Sequence, residues 1–358
     1  RTRRRPARPN RRDSREDVGL VTTLVERIKM KPNKLQPGDE IRIVALARSA
    51  SDIDETVLRR ATVALESLGL TVTFSENAFS WSQRGCPSDQ EKVDDLHAAF
   101  TDSKVKAILA AVGGFNSNQL LDKIDWKLID ANPKIFAGFS DITVLNHAIL
   151  AKTGLITYAA PNFYCFGMLP QNSYSLEYFK RCLFADQPDE YEIAPSANFY
   201  DYPWNYDEKS SRATLPNAGP VIIQKGRAEG ILLGGNMCSL NLLNGTEYFP
   251  RIAGDIILCI EDDSYDSILE TFERNFQSVV QQSYFRQVKA ILIGRFQQES
   301  QPTEQALRDI ILSKNIEQTM PVIANLDFGH TDPKFTYPVG GRTAVEAGDI
   351  ATIRFLSI

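Results

Sequence analysis

Short apolar runs alternate with amphipathic segments over the first half of the chain. The apolar runs are typical of buried strands: EIRIVALA, LTVTFSEN, VKAILAAV and KIFAGF. The amphipathic segments are typical of helices: DETVLRRATVALESLG, DQEKVDDLHAAFTD, NQLLDKIDWKLIDAN and SDITVLNHAILAKTG. Asp52 or Asp54 is placed to cap the first of these helices. The alternation predicts an α/β domain with a parallel sheet and helices on both faces.

The pattern weakens over residues 185–222, which are rich in Pro, Asn, Asp and aromatic residues and predict a structured loop or lid. Short strands with glycine turns follow, interrupted by one helical pattern. We therefore expect a second, smaller C-terminal domain of mixed α/β or α+β type. The predicted division is a basic, disordered tail (1–34), an N-terminal domain (35–184), a connecting loop (185–222) and a C-terminal domain (223–358).

The charge is distributed unevenly. The formal net charge is −5, yet residues 1–15 hold eight Arg and one Asp, which leaves −12 on the rest of the chain. An acidic body argues against nucleic-acid binding, because phosphate contacts need a basic face. A nucleic-acid-binding protein that acts through the Arg-rich segment is the weakest alternative. We take that segment as tail, with Met30 as a natural start.

The cysteines and hydropathy exclude other classes of protein. The five cysteines are scattered and contain no C-x-x-C pair, which argues against a disulfide framework and a zinc site and fits a reducing cytoplasm. The chain has no uninterrupted apolar run long enough for a membrane span. We expect a cytoplasmic protein without a membrane partner.

A glycine pair and a serine follow the third predicted strand, in VKAILAAVGGFNSNQLL. The carboxyl ends of parallel strands carry the active residues of such folds, so Ser117 is a candidate nucleophile. Amide groups at this turn could stabilise an oxyanion. The alternative is that Ser117 only caps the following helix.

A serine nucleophile needs a base and an acid to orient that base. His97 and His147 fall on helical patterns and are best explained as packed or surface side chains. His330 instead follows an apolar strand and lies between Gly329 and Pro333 in a loop. Glu261 ends the apolar run IILCIE and is the best-placed partner for that histidine.

Several segments together resemble the LD-carboxypeptidase and microcin C immunity peptidase family. They are LQPGDEIRIVA, AILAAVGGFNSNQLLDKID, FAGFSDITVLNHAI, EGILLGGNMCSLNLLNGT, GDIILCIEDDSYD and ANLDFGHTDPKFTYPVG. The resemblance implies an N-terminal α/β domain and a smaller C-terminal mixed α/β domain with the active site between them. It implies a Ser-Glu-His hydrolase with Ser117 as nucleophile, Glu261 as acid and His330 as base. It also implies backbone oxyanion donors at Gly114 and Asn118, a homodimer, and no metal or organic cofactor.

The segment GGFNSNQLL is more similar to the immunity branch, because Val112 stands where the carboxypeptidases carry an Arg. The resemblance then implies an aminoacyl-nucleotide substrate such as processed microcin C, with Trp204 stacking on the nucleobase. Trp204 could instead anchor its loop to the core. The alternative substrate is the L,D peptide bond of a muropeptide, and a further alternative is a non-catalytic protein that binds a small ligand.

Overall fold

A computed structural model describes residues 30–168, 173–201, 213–264, 269–300 and 302–357. Its strands are β1 (Glu40–Val44), β2 (Thr71–Phe74), β3 (Val105–Ala110), β4 (Ile135–Ala137), β5 (Thr157–Ala159), β6 (Tyr191–Glu192), β7 (Asn198–Phe199), β8 (Leu215–Pro216), β9 (Val221–Gln224), β10 (Gly226–Asn236), β11 (Ile256–Glu261), β12 (Val288–Gly294), β13 (Val322–Leu326), β14 (Tyr337–Val339), β15 (Arg342–Ala347) and β16 (Ala351–Ser357). Its α-helices are α1 (Glu55–Glu66), α2 (Asp89–Thr101), α3 (Trp126–Ala131), α4 (Thr143–Thr153), α5 (Cys165–Met168), α6 (Ser173–Leu183), α7 (Met237–Asn241), α8 (Leu269–Val280) and α9 (Glu304–Leu312). Short 3₁₀ turns span Ala50–Asp52, Ser117–Leu120, Ser140–Ile142 and Ser283–Gln287.

The first sheet has six strands in the order β14-β5-β4-β3-β1-β2. Its five N-terminal strands are parallel. Four of them, β1 to β4, are the predicted strands, and β5 was not predicted; residues on both faces of β3 and β4 are buried. The sixth strand, β14, comes from the C-terminal part of the chain and pairs antiparallel with β5. The N-terminal sheet is therefore completed by a strand that lies far away in sequence.

The second sheet has eight strands in the order β6-β16-β15-β10-β11-β12-β13-β9. Strands β10 to β13 are parallel, and the strands on either side of them are antiparallel. The mixed α/β class with two domains is confirmed. The predicted boundaries do not separate the sheets completely, since β6 lies in the segment predicted as a connecting loop.

Two local predictions differ from the structure. The segment NQLLDKIDWKLIDAN is not one helix: a 3₁₀ turn at Ser117–Leu120 is followed by turns and then by α3, whose N-terminus Asp125 caps. The predicted tail (1–34) also includes residues that the structure places in the fold. Met30 forms a β-bridge with Leu155, and Lys34 forms an ion pair with Asp189, so residues from Met30 onward belong to the fold. Residues 1–29 lie outside the described part of the chain.

Helix α4 joins the two sheets. His147 donates from Nδ1 to the Thr143 carbonyl and accepts the Gly234 amide of β10 at Nε2, at 2.8 and 3.0 Å. Thr143 Oγ1 accepts the Asn236 amide at 3.1 Å. These bonds hold the start of α4 against the end of β10. No helix in the described ranges is long and apolar enough to cross a membrane.

Candidate active site

Glu261 and His330 meet where two parallel strands of the second sheet end. Glu261 is the last residue of β11, and His330 follows β13 in a loop. Nδ1 of His330 donates to Glu261 Oε2 at 2.7 Å. Two glycines make room for the carboxylate. A Cβ at Gly294 would lie 2.9 Å from Glu261 Cβ, and one at Gly329 would lie 2.9 Å from its Oε2.

The surroundings set the charge preference of His330. Burial lowers its pKa, but the Glu261 carboxylate and, more weakly, Asp263 raise it, and the net direction is upward from the ordinary value. Asp263 Oδ2 lies 3.8 Å from Nε2. A histidine paired in this way is stabilised as the imidazolium, which is the form it takes after accepting a proton.

Ser140 occupies a strained turn between β4 and α4. Its φ is +64°, a left-handed conformation that costs an L-residue roughly 1–3 kcal/mol, and Gly138 two residues earlier has φ +158°. This turn directs the hydroxyl toward the second sheet, where Ser140 Oγ lies 3.1 Å from His330 Nε2. The Nδ1 bond to Glu261 leaves Nε2 free to accept the Ser140 proton.

Gly113 packs directly against Ser140. A Cβ at Gly113 would lie 3.0 Å from both Cβ and Oγ of Ser140, so only glycine lets the backbone approach this closely. The carbonyl of Gly113 accepts the Arg48 amide at 3.2 Å, which fixes the orientation of that peptide. The segment GGFNS thus lies beside the serine of the following strand.

The prediction that Ser117 pairs with His330 is wrong. Ser117 is fully buried, and its Oγ donates to the backbone carbonyl of Asp141 at 2.8 Å. Its amide donates to Asp141 Oδ2 at 2.9 Å. The helix-cap alternative is not observed either, because Asn116 occupies the cap position and no side chain caps the turn. Ser117 instead attaches its turn to the residue after Ser140.

The other predicted residues have different outcomes. Gly114 lies one residue from the contact with Ser140, and a Cβ there would meet Ala47 at 2.9 Å and the Arg48 amide at 3.2 Å. Within the described ranges no hydrogen bond links Asn118 to Ser140 or His330. Trp204 lies outside the described residues, so its stacking role stays a prediction.

Ser140 carried a sequence signal of its own. The run KIFAGFSD places a glycine and then a serine directly after an apolar strand and before a helix, as VGGFNSN does one strand earlier. Strands β3 and β4 are parallel neighbours, so both serines lie at the same edge of the sheet. Only the side-chain partners distinguish them.

A buried ion pair lies in the loop that carries His330. Lys334 Nζ lies 2.5 Å from Asp332 Oδ1, both side chains are buried, and the ammonium lies 4.8 Å from the Phe139 ring centroid. Burial lowers the pKa of Lys334, but Asp332 outweighs this and raises it above its ordinary value. Asp332 also exchanges two backbone hydrogen bonds with Tyr200, at 2.6 and 3.0 Å. The part of the predicted connecting loop around Tyr200 is therefore bound to the loop that carries His330.

The remaining histidines are structural. His147 is completely buried, and burial lowers its pKa to about 4, so it is neutral while it bridges α4 and β10. His97 accepts the Asp125 amide at Nε2, at 3.0 Å, and burial lowers its pKa as well. Within the described ranges no group of three or more His, Cys, Asp or Glu side chains could hold a metal ion.

A serine, a histidine and a carboxylate joined by hydrogen bonds at the junction of two α/β domains define the geometry of a serine hydrolase. The LD-carboxypeptidase N-terminal domain family matches residues 41–160, and the LD-carboxypeptidase C-terminal domain family matches residues 229–345. The chain belongs to the LD-carboxypeptidase family of serine peptidases, which includes MccF-like proteins.

The proteins similar to this chain include carboxypeptidases by name and a microcin self-immunity protein. YocD of Bacillus subtilis, a carboxypeptidase by name, is 47% identical over 89% of this chain and 96% of its own. The microcin C7 self-immunity protein MccF of Escherichia coli is 31% identical over 72% of this chain and 76% of its own. The MccF-like protein of Bacillus anthracis superposes with a TM-score of 0.88 at 42% identity, over 92% of this chain and 100% of its own.

A solved structure of MccF in complex with glutamyl sulfamoyl guanosine superposes with a TM-score of 0.82 at 27% identity. That match covers 91% of this chain and 98% of the MccF chain. The LD-carboxypeptidase family thus includes a self-immunity protein that binds an aminoacyl-nucleotide analogue, alongside proteins named as carboxypeptidases.

Proposed function

We propose that this protein is a Ser-His-Glu amidase in which Ser140 is the nucleophile, His330 the general base and Glu261 the residue that orients the base. The observation that carries the proposal is the continuous chain of hydrogen bonds from Ser140 Oγ through His330 to Glu261, at 3.1 and 2.7 Å. Ser117, which the motif resemblance favoured, has no such connection.

In the proposed mechanism, His330 Nε2 takes the Ser140 proton as Oγ attacks the carbonyl carbon of the amide. The imidazolium then donates that proton to the leaving amine, and the C–N bond breaks. A water deprotonated by the same nitrogen then attacks the acyl carbon, the bond from that carbon to Ser140 Oγ breaks, and His330 returns the proton to Oγ. Glu261 stays ionised and stabilises the imidazolium in both steps.

The oxyanion is proposed to bind to backbone amides on either side of Oγ. Gly113 is one donor, since its backbone is in contact with Ser140, and Asp141 is the other, since it follows Ser140 in the 3₁₀ turn that leads into α4. These two amides replace the predicted pair at Gly114 and Asn118. Each such donor contributes about 2.7–4 kcal/mol to transition-state stabilisation in enzymes where it has been removed.

The proposed substrate is an aminoacyl-nucleotide of the processed microcin C type, in which the bond to the aminoacyl group is cleaved. It rests on the MccF structures that hold glutamyl sulfamoyl guanosine and aspartyl sulfamoyl adenosine. It also rests on Val112, which replaces the Arg of the carboxypeptidase motif. In this proposal the reaction detoxifies the nucleotide.

The second candidate substrate is a murein tetrapeptide, from which the terminal D-Ala would be removed. The observation in its favour is the similarity to a murein tetrapeptide carboxypeptidase of Pseudomonas aeruginosa, 26% identical over 86% of this chain. Both reactions use the same nucleophile and differ only in the groups that flank the scissile amide.

The decisive experiment incubates the wild-type protein with aspartyl sulfamoyl adenosine and, separately, with a muramoyl tetrapeptide, and follows the products by mass spectrometry. Ser140→Ala and Ser117→Ala are run in parallel as a matched pair. We expect the wild type to hydrolyse the nucleotide faster, Ser140→Ala to lose the activity, and Ser117→Ala to keep a measurable rate.

A fluorophosphonate probe supplies an independent readout. It should label the wild type at Ser140, identified by peptide mapping, and should not label Ser140→Ala. A protein that hydrolyses neither substrate and takes up no probe would be the non-catalytic binding protein. Label on Ser117 would instead identify Ser117 as the nucleophile.

A further inference from the structure

A chain of buried polar groups lies under the Ser140 turn, and the proposed mechanism does not use it. Its members are Lys92 on α2, Asn116 in the glycine segment and Asp141, each at most 2% exposed. Lys92 Nζ donates to Asn116 Oδ1 at 2.8 Å. Asn116 Nδ2 donates to Cys86 Sγ at 3.3 Å, so both ends of the amide have partners.

The chain continues from Asn116 to the residue after the nucleophile. The amides of Asn116 and Ser117 both donate to Asp141 Oδ2, at 2.9 Å each. With the bond from Ser117 Oγ to the Asp141 carbonyl, three hydrogen bonds join the glycine segment to the Ser140 turn. These bonds lie within four residues of the contact between Gly113 and Ser140.

Charged groups in this position are costly to bury. Burial raises the pKa of Asp141, which the two amides and the Lys92 charge counteract. Burial also lowers the pKa of Lys92. An apolar packing of the same volume is commonly as stable as a buried ion pair. The arrangement is better explained by geometric precision than by a gain in stability.

We propose that Lys92, Asn116 and Asp141 act together as positioning residues that set the distance between the Gly113 amide and Ser140 Oγ. Lys92 holds the Asn116 side chain, Asn116 presents its backbone amide to Asp141, and Asp141 holds the Ser140 turn against the same segment. The inference rests on the proposed function, since it concerns the oxyanion donors of that mechanism.

The test is Lys92→Met, which keeps the length of the side chain and removes its charge. An oxyanion donor acts on the transition state, and a displacement of about 1 Å can cost about 100-fold in rate. We expect kcat to fall by about 10- to 100-fold while KM changes by less than about threefold. A kcat within twofold of the wild type would overturn the proposal.

Lys314→Met is the matched control. Lys314 is also largely buried, although its partner is a carboxylate, Glu273 at 2.6 Å, and it lies in the chain between α9 and β13. We expect its kcat to equal that of the wild type. An equal loss of kcat in both variants would mean that removing any buried lysine has this effect, and would also overturn the proposal.

A double variant separates positioning from folding. Lys92→Met alone leaves Asn116 Oδ1 buried without its donor, whereas Lys92→Met with Asn116→Leu removes both groups, which costs less stability. We expect the double variant to regain part of the lost thermal stability and to keep the low kcat. Recovery of kcat together with stability would show that the chain serves folding only.

Ser140→Ala distinguishes a failure of the proposed function from a failure of the positioning role. If the wild type shows no hydrolysis that depends on Ser140, the proposed function fails and the positioning chain fails with it. If that hydrolysis is present and Lys92→Met retains it in full, only the positioning role is refuted.

Discussion

Replacing Glu261 by Gln tests how the carboxylate acts on His330. The substitution keeps the shape of the side chain, and the space between Gly294 and Gly329 needs no repacking. It removes the charge that the His330 Nδ1–H now faces at 2.7 Å. The Gln amide can also present its NH₂ to Nδ1, which favours the tautomer that carries its proton on Nε2 and cannot accept from Ser140.

The expected loss of kcat is about 10⁴-fold or slightly more, as found when the triad carboxylate of other serine hydrolases is replaced. At 1.36 kcal/mol per factor of ten, this loss corresponds to about 5.5–6 kcal/mol of transition-state stabilisation. The nucleophile and the oxyanion amides remain, so the residual rate should stay above that of the uncatalysed reaction.

The substitution should also change the pH dependence of kcat/KM. In the wild type Glu261 raises the pKa of His330 against the effect of burial, and the base is active only above that raised pKa. Without Glu261, burial prevails and the pKa falls. The acidic limb of kcat/KM should therefore move to lower pH while the plateau drops.

The assay measures kcat/KM for the nucleotide substrate from pH 4.5 to 9, with Asp263→Asn as a comparison. Asp263 lies 3.8 Å from Nε2 and raises the pKa of His330 less than Glu261 does. Its variant should shift the limb in the same direction by a smaller amount. A Glu261→Gln protein within tenfold of wild-type kcat, or with an unmoved acidic limb, would refute the assignment.

Three further predictions concern stability and oligomeric state. Gly329→Ala places a Cβ 2.9 Å from Glu261 Oε2 at φ +100°, so urea unfolding should show a loss of about 1–3 kcal/mol together with a lower kcat. Gly348→Ala should change neither, because a Cβ there would lie 3.6 Å from Glu346 Oε1, an ordinary contact. The pKa of His147 is lowered to about 4 in the folded state, so protonation favours unfolding, and stability should fall by about 3 kcal/mol as pH decreases from 6.5 to 4. His147→Leu should lack this part of the pH slope; an unchanged slope in urea unfolding would contradict it. The expected homodimer is tested by sedimentation equilibrium, where a monomer at micromolar concentration would reject it.

Much of the fold followed from local patterns. The alternation of apolar runs with amphipathic segments predicted the parallel strands of the first sheet, because a strand buried on both faces needs a continuous apolar run. Asp54 caps α1 as its position suggested. The pattern could not predict β14 in the N-terminal sheet, since pairing between strands about 180 residues apart leaves no local signature.

For the site, the sequence by itself was enough to predict that Glu261 and His330 form a pair, and the two side chains are in contact. Glu261 closes an apolar strand, and His330 is the histidine that lies in a loop after another strand; parallel packing brings such strand ends together. The choice of serine was different. Ser117 and Ser140 follow adjacent strands with similar glycine turns, so local sequence could not rank them.

The tertiary structure decided which of the two serines contacts His330, through the direction of their hydroxyls. The left-handed turn at Ser140 directs Oγ toward His330, whereas the Ser117 hydroxyl is consumed by the Asp141 carbonyl. A hydrogen bond depends on distance and angle across elements that are far apart in sequence. Residue type and spacing determined which groups were available, and packing between the two sheets decided which of them meet.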